Sequence, residues 1–271
     1  MAAKKVYILN TGYLETDKNN VVGGWTVGTK DTPYVKNEWI KLPVMAFLIE
    51  TDDGYILYDT GSNPDAMKGY WSKVLQQIYP LYQKPEEELD KQLALCGVKP
   101  EDIKTVVISH MHLDHAGNLQ LFPNTTVIVP KADFYAGQAQ VKLNKDPNTH
   151  GGYVKGDMDR YVGQYVLADG DVDFELVPGV EVINLPGHTP GLLGLVVHLP
   201  NQTMILPQDC IYSSEIYGPP ARLSGLCYDS ISFMKSVEKV RRLQKKYNAT
   251  VIYAHDEPSF KTYKLAPAYY D

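Results

Sequence analysis

The chain has 271 residues, of which 44% are hydrophobic and 21% charged, a composition typical of a folded globular protein. Its formal net charge of -6 disfavours a nucleic-acid partner, because binding to a phosphate backbone needs a basic face. No apolar stretch approaches the length of a membrane span, and the N-terminus has neither a long apolar region nor a clear cleavage site. We therefore expect a cytoplasmic protein without a membrane partner.

Runs rich in β-branched and aromatic residues predict strands along the whole chain. In chain order they are Lys5–Asn10, Val44–Glu50, Tyr55–Asp59, Thr105–Ser109, Thr126–Val129, Val180–Leu185, Leu193–Leu199, Thr203–Leu206 and Thr250–Ala254. Pro85–Leu95 opens with proline and three glutamates, and Ser230–Tyr247 has apolar residues spaced for one buried face, so both segments predict helices. This order favours an α/β fold in which two sheets pack face to face under outer helices. No linker or repeat divides residues 1–271, which we expect to form a single domain.

Two segments interrupt this pattern. Gly12–Lys41 is polar, contains glycines and carries Trp25, and Lys142–Tyr161 is similarly irregular. Long irregular segments in compact domains are often lids or binding loops. We expect residues 12–41 to form a lid or substrate loop.

The densest group of chemically active side chains is His-Met-His-Leu-Asp-His at residues 110–115, directly after a predicted strand. Because side chains alternate along an extended backbone, His110 and His112 should point to the same side. Asp114 and His115 can then point back from the turn that follows. Imidazoles and carboxylates at this spacing suit zinc and similar divalent ions, so the motif predicts a metal site.

Three further candidate ligands stand at the ends of later predicted strands: His188, Asp209 and His255. Rigid strands fix the positions of such residues, and loops at strand ends commonly carry function. Four clustered ligands are too few for two metal sites. We therefore expect these three residues to join the cluster at residues 110–115.

The ordered series of His-x-His-x-Asp-His, Gly-His-Thr-Pro-Gly, Asp209 and His255 resembles the metallo-β-lactamase-fold superfamily, as does Asp59-Thr60-Gly61 after an early strand. The resemblance extends from Val44 to the C-terminus. Within the superfamily, LPVMAFLIETDDGYILYDTG and IYAHDEPSFKTYKLAPAYY are most similar to the N-acyl homoserine lactonases. The resemblance implies a four-layer αββα sandwich with metals at one edge of the two sheets.

The resemblance also implies two divalent ions, zinc as the first expectation and iron, cobalt or manganese as alternatives. The implied ligands are His110, His112 and His188 for one ion, Asp114, His115 and His255 for the other, and Asp209 as a bridge between them. Asp59 would orient a ligand without touching a metal.

The implied reaction opens the lactone ring of an N-acyl homoserine lactone by attack of a hydroxide that bridges the two ions. Tyr212 would donate to the carbonyl oxygen as it becomes negative, and Asp114 would carry a proton to the departing alkoxide. The expected acyl-chain contacts, for which plain core packing is the alternative, are Trp25, Met45, Phe47 and Leu113.

Several other functions use a similar ligand set. A broader lactone or ester hydrolase and a thioester hydrolase stay open, although no basic patch for a glutathione group is visible. A zinc β-lactamase usually has cysteine at the position of Asp209, and a di-iron oxidoreductase normally has glutamate at the position of His112. A metal-free interaction protein would not need seven such residues. The expected partner is a small acyl lactone, and a homodimer is an open alternative.

Overall fold

Two mixed β-sheets form the interior of the protein in the computed structural model, which describes residues 3–170 and 172–271. The strands are β1 (Ala3–Asp17), β2 (Trp39–Thr51), β3 (Gly54–Tyr58), β4 (Leu81–Tyr82), β5 (Ile103–Val107), β6 (Thr126–Pro130), β7 (Gln164–Ala168), β8 (Phe174–Val177), β9 (Val180–Asn184), β10 (Leu193–His198), β11 (Thr203–Leu206) and β12 (Thr250–Val251). The α-helices are α1 (Lys18–Val21), α2 (Lys73–Ile78), α3 (Leu89–Leu95), α4 (Lys131–Leu143), α5 (Lys155–Met158), α6 (Ser214–Tyr217), α7 (Ser230–Tyr247) and α8 (Glu257–Phe260).

Within the described residues, the larger sheet has the strand order β4-β1-β2-β3-β5-β6-β7, and the smaller sheet has the order β12-β11-β10-β9-β8. The first four strands of the larger sheet pair antiparallel, and β3, β5, β6 and β7 pair parallel. Among the strand pairs of the smaller sheet that the structure describes, β11–β12 is parallel and the others are antiparallel. The parallel strands β3 and β5 therefore carry the loops that follow them to the same edge of the larger sheet.

Alternation along β2 explains how the two sheets pack. Met45, Phe47 and Ile49 belong to the core between the sheets, whereas Ala46 and Leu48 pack in the core that includes helix α3. Successive side chains of a strand point to opposite faces, so burial of both faces requires the continuous apolar run seen here.

Helix α7 covers the outer face of the smaller sheet. Phe233, Val237 and Val240 share a core with Ile183 and Val196 of that sheet. The Asp229 carboxylate caps the helix by accepting hydrogen bonds from two backbone N–H groups of its first turn, at 3.1 and 3.3 Å. Helices on the outside of both sheets give four layers, which confirms the predicted αββα sandwich.

The structure adds elements that sequence patterns do not indicate. Helix α4 was not predicted because its buried face carries Asp133 and Gly137 beside Val141 rather than a stripe of large apolar side chains. The segment predicted as a loop at residues 12–41 is regular at both ends, since β1 extends to Asp17 and β2 begins at Trp39. Within residues 3–170 and 172–271, no helix combines the length and the apolarity that a membrane span requires.

Replacing Tyr58 with phenylalanine should weaken the contact between the sheets. Tyr58 ends β3, and its buried hydroxyl donates to the carbonyl oxygens of Leu193 and Leu206 in the smaller sheet, at 2.6 and 3.3 Å. Loss of a buried donor that leaves acceptors unpaired costs about 1–3 kcal/mol. We expect Tyr58→Phe to lower the free energy of unfolding, measured with urea, by that amount.

The matched control is Tyr161→Phe, because the Tyr161 side chain is 91% exposed. Its unfolding free energy should stay within about 0.5 kcal/mol of the wild-type value. Equal urea midpoints for the two variants would contradict a stabilising role of the Tyr58 hydroxyl.

Candidate active site

The seven residues predicted as metal ligands lie together beyond the ends of strands from both sheets. The loop after β5 carries four of them, and the others follow β9, β11 and β12. Their ligand atoms form three groups whose members lie within 4.8 Å of one another: His110, His112 and His188; His110, His115 and Asp209; and Asp114, His115 and His255. The packing of the two sheets therefore brings together residues that are distant in sequence.

Three imidazoles form one side of the cluster. His112 Nδ1 lies 3.1 Å from His110 Nε2 and 3.1 Å from His188 Nε2. Bonds of about 2.0–2.1 Å to a tetrahedral zinc ion separate neighbouring ligand atoms by roughly 3.3 Å. Burial lowers the pKa of all three histidines, so each ring is neutral and has a lone pair available for a cation.

The other side of the cluster is rich in carboxylates. Asp114 Oδ2 lies 3.6 Å from His115 Nε2 and 3.7 Å from His255 Nε2. Burial disfavours the charged form of both imidazoles, but the neighbouring Asp114 and Asp209 carboxylates outweigh it and raise the pKa of His115 and His255. These carboxylates create a buried negative potential that attracts positive charge.

Asp209 lies between the two sides. Its Oδ1 is 3.0 Å from His255 Nε2 and 3.3 Å from His115 Nε2. Its Oδ2 is 3.4 Å from His188 Nε2 and 3.7 Å from His110 Nε2. One carboxylate oxygen thus faces each side, as in a carboxylate that bridges two cations.

Hydrogen bonds on the far side of the rings fix which nitrogen faces the cluster. The Nδ1 atoms of His115, His188 and His255 lie 2.8, 3.0 and 2.8 Å from the Asp59 carboxylate, the Leu226 carbonyl and the Pro43 carbonyl. Since these oxygens only accept, each Nδ1 donates, and Nε2 is the nitrogen that each ring turns towards the cluster.

One buried nitrogen of the cluster, His115 Nε2, is a further indication of a cation site. The buried His115 Nε2 has no hydrogen-bond partner among the described residues. A buried polar nitrogen without a hydrogen-bond partner is unfavourable, and binding to a cation through its lone pair would remove that penalty. The donor set and this unpaired nitrogen together fit divalent metal binding.

An apolar cavity of about 240 Å³ opens beside the cluster. Next to the cluster its lining includes His112, Asp114, Asp209, Tyr212 and His255. Its apolar wall is made of Leu14, Val21, Leu42, Val74, Leu75, Ile78, Leu113 and Leu226. A ligand with a polar head and an apolar tail fits this division.

Tyr212 lies on the cavity wall with its ring buried against two imidazoles of the cluster. Its hydroxyl is 3.4 Å from His188 Nδ1. Burial and the nearby Asp209 and Asp114 carboxylates raise the pKa of Tyr212 well above its usual value. The phenol therefore stays protonated at neutral pH and can donate a hydrogen bond into the cavity.

The structure places the four predicted acyl-chain contacts differently from one another. Leu113 lines the cavity. Met45 and Phe47 do not, and their prediction as substrate contacts is corrected to packing between the sheets. Trp25 is partly exposed outside the cavity lining: its indole N–H donates to Glu38 at 2.8 Å, and the Lys18 ammonium lies 3.5 Å from the ring centroid.

Two features of the site were missed from the sequence. Helix α2 contributes Val74, Leu75 and Ile78 to the cavity wall, and their helical spacing after the N-cap Ser72 is a signal that could have revealed it. Gln208 lies beside Asp209 and donates to Asp59, a contact that no sequence spacing indicates.

Comparisons with known proteins agree with this geometry. The sequence profile of the metallo-beta-lactamase superfamily matches residues 39–255. The N-acyl homoserine lactonase AiiB of Agrobacterium fabrum is 32% identical over 264 residues, covering 94% of this chain and 95% of the relative. An N-acyl homoserine lactonase of Bacillus cereus is 29% identical over 279 residues, covering 99% of this chain and 100% of the relative.

A solved structure of an N-acyl homoserine lactone hydrolase, with the product N-hexanoyl-L-homoserine bound at its catalytic metal centre, superposes with a TM-score of 0.84. It is 26% identical in sequence, and the match covers 100% of both chains. This chain belongs to the metallo-beta-lactamase superfamily and, within it, to the N-acyl homoserine lactonase family.

Proposed function

We propose that this protein hydrolyses the lactone ring of N-acyl homoserine lactones with the help of two divalent cations, zinc in the first instance. The observation that carries the proposal is an apolar cavity that ends at the buried cluster of imidazoles and carboxylates. The proposed ligands are His110, His112 and His188 on one side, Asp114, His115 and His255 on the other, and Asp209 between them. Lactonase relatives over nearly the full chain support the substrate class.

Bound divalent cations would supply Lewis acidity and a water molecule acidified towards neutral pH. The apolar wall, with Leu75, Ile78 and Leu113, would hold the acyl chain and exclude bulk water from the cluster. The buried Tyr212 hydroxyl would donate to the carbonyl oxygen as negative charge develops there.

Asp114 is proposed to move the proton. Its carboxylate lies on the cavity wall beside His115 and His255 and is 7% exposed, so it is close to substrate while shielded from solvent. The carboxylate would accept the proton of the attacking water and release it to the ring oxygen as the carbon–oxygen bond breaks. The product is the open-chain N-acyl homoserine, with no covalent intermediate on a serine or cysteine.

The segment 12–41 is proposed as a substrate loop within a single domain of residues 1–271. Leu14, Thr16, Asn20 and Val21 line the cavity, so the first part of this segment is placed to contact substrate. The oxidoreductase alternative has no support among the relatives described above.

A substrate panel tests the proposed reaction. The metal-loaded protein should release acid, titrated at constant pH, from N-hexanoyl and N-decanoyl homoserine lactones. It should hydrolyse a thioester and a β-lactam of similar size at least about 100-fold more slowly in kcat/KM, a difference of about 2.7 kcal/mol in transition-state binding. Faster cleavage of the thioester would overturn the assignment of the substrate class.

Replacing Asp209 with asparagine tests the bridge. The amide keeps the shape but removes the charge that faces both sides of the cluster, so we expect metal content to fall from two ions per chain and kcat/KM to fall more than about 100-fold. Elemental analysis and lactone hydrolysis measure the two effects. Asp169→Asn, at an exposed surface ion pair with Lys131, should change neither. Near-normal turnover of Asp209→Asn would show that the bridge is misassigned.

Replacing Tyr212 with phenylalanine should lower kcat about 100- to 1000-fold, the usual effect of removing one donor to a developing oxyanion. Metal content and KM should change little, because the hydroxyl is not a proposed ligand. Steady-state kinetics on N-hexanoyl homoserine lactone measure kcat and KM separately. The control is Tyr228→Phe, at an exposed tyrosine. An unchanged kcat would exclude Tyr212 from the reaction.

A further inference from the structure

Gln208 has a backbone conformation that its residue type disfavours. It lies between β11 and Asp209 with a φ angle of 46°, in the left-handed region. A side chain with a Cβ atom is strained there, and glycine is the residue that adopts this region without cost. Such a residue persists only where surrounding contacts hold it in place.

The side chain of Gln208 explains what holds it. Its amide Nε2 donates to Asp59 Oδ2, and both side chains are buried, with 3% and 0% exposure. A carboxylate only accepts hydrogen bonds, so the amide nitrogen rather than the amide oxygen must face Asp59. Asp59 is itself in the left-handed region, with a φ angle of 61°.

Asp59 connects this contact to the metal cluster. Its Oδ1 accepts from the Ser109 backbone N–H at 2.6 Å, and its Oδ2 accepts from the Ser109 hydroxyl and from His115 Nδ1, both at 2.8 Å. Oδ2 therefore receives three donors, two from the loop after β5 and one from Gln208, which follows β11. Without the Gln208 donor, Ser109 alone would fix the rotation of the Asp59 carboxylate. The orientation of the His115 ring, which depends on that carboxylate, would then be less restricted.

We propose that Gln208 is a positioning residue for the second cation site, which is the one formed by Asp114, His115 and His255, the first being that of His110, His112 and His188. Acting through Asp59, it orients His115 so that the unpaired Nε2 faces Asp209 Oδ1, at 3.3 Å, and Asp114 Oδ2, at 3.6 Å. The inference rests on the proposed two-cation function. It explains why the chain keeps a strained glutamine next to the bridging carboxylate.

The proposal assigns different effects to the two cations. Asp59 contacts His115 of the carboxylate-rich side directly. Among the described residues, His110, His112 and His188 of the imidazole side have no direct hydrogen bond to Asp59 or Gln208, and His110 is linked to Asp59 only through the Ser109 hydroxyl, 3.0 Å from its Nδ1. Loss of the Gln208 amide should therefore lower the affinity for the second ion about 10- to 100-fold, which is the usual effect of removing a group that orients a metal ligand. The affinity for the first ion should stay unchanged.

Two variants distinguish the effect of the amide donor from the effect of the backbone strain. Gln208→Met keeps the length of the side chain and the backbone strain but has no donor, and Gln208→Gly removes both the donor and the strain. Asn248→Gly is the matched control, because Asn248 is exposed beyond helix α7 and also has a left-handed backbone, with a φ angle of 49°. Urea unfolding of the metal-free proteins shows that each variant is folded.

The experiment is titration of each metal-free protein with Co²⁺, followed by visible absorption and by lactone hydrolysis at each metal concentration. We expect both Gln208 variants to bind the first equivalent like the wild type, to bind the second at least about 10-fold more weakly, and to regain turnover at high Co²⁺. Wild-type affinity for the second ion in Gln208→Met, or an equal loss in Asn248→Gly, would overturn the proposal. A wild type that binds only one ion would instead overturn the two-cation function together with it.

Discussion

The structure depends on the burial of charge at one end of the sandwich. Asp59, Asp114 and Asp209 are each at most 7% exposed, and four of the five neighbouring histidines are as deeply buried. Burial of unpaired charge is strongly unfavourable, and relaxation of the site towards water would relieve it. The cluster persists because strands hold its residues and because donors surround the carboxylates. Divalent cations, where bound, would compensate the remaining negative charge.

The sandwich supplies this rigidity through contacts between its sheets near the cluster. The Leu193 backbone N–H of the smaller sheet donates to the Ser109 carbonyl, at 2.9 Å, one residue before His110. The Tyr58 hydroxyl, one residue before Asp59, donates to the Leu193 carbonyl. The two sheets are thus joined at the residues from which the cluster is built. Sheet packing and ligand geometry are therefore coupled: a substitution that weakens the packing of the sheets should also shift the ligands, and the reverse.

Sequence patterns predict nine strands and the seven candidate ligands, because β-rich runs and polar residues at their ends are local signals, and the family resemblance adds the four-layer sandwich. They miss the strands β4, β7 and β8. They do not predict which face of a strand meets which layer when both faces are apolar. Met45 and Phe47 differ from Ala46 and Leu48 in the direction of the pleat, so hydropathy alone could not tell which core each face joins or that neither face lines the cavity. Gln208 was missed for another reason: its contact with Asp59 joins segments from the two sheets and leaves no spacing to detect.

The division between cluster and cavity also determines where selectivity can reside. The cluster is built on strand ends that the core holds rigidly, and its chemistry would act on many carbonyl groups. Strands β1 and β2 contribute Leu14 and Leu42 to the cavity wall, and the helices outside the sheets contribute Val74, Leu75 and Ile78 of α2 and Asn20 and Val21 of α1. These short helices pack on the sandwich without contributing to its strand pairing, so their residues can change without disturbing the ligands. Differences in acyl-chain preference within this family should therefore arise from these helices, while the reaction itself stays fixed by the strand ends.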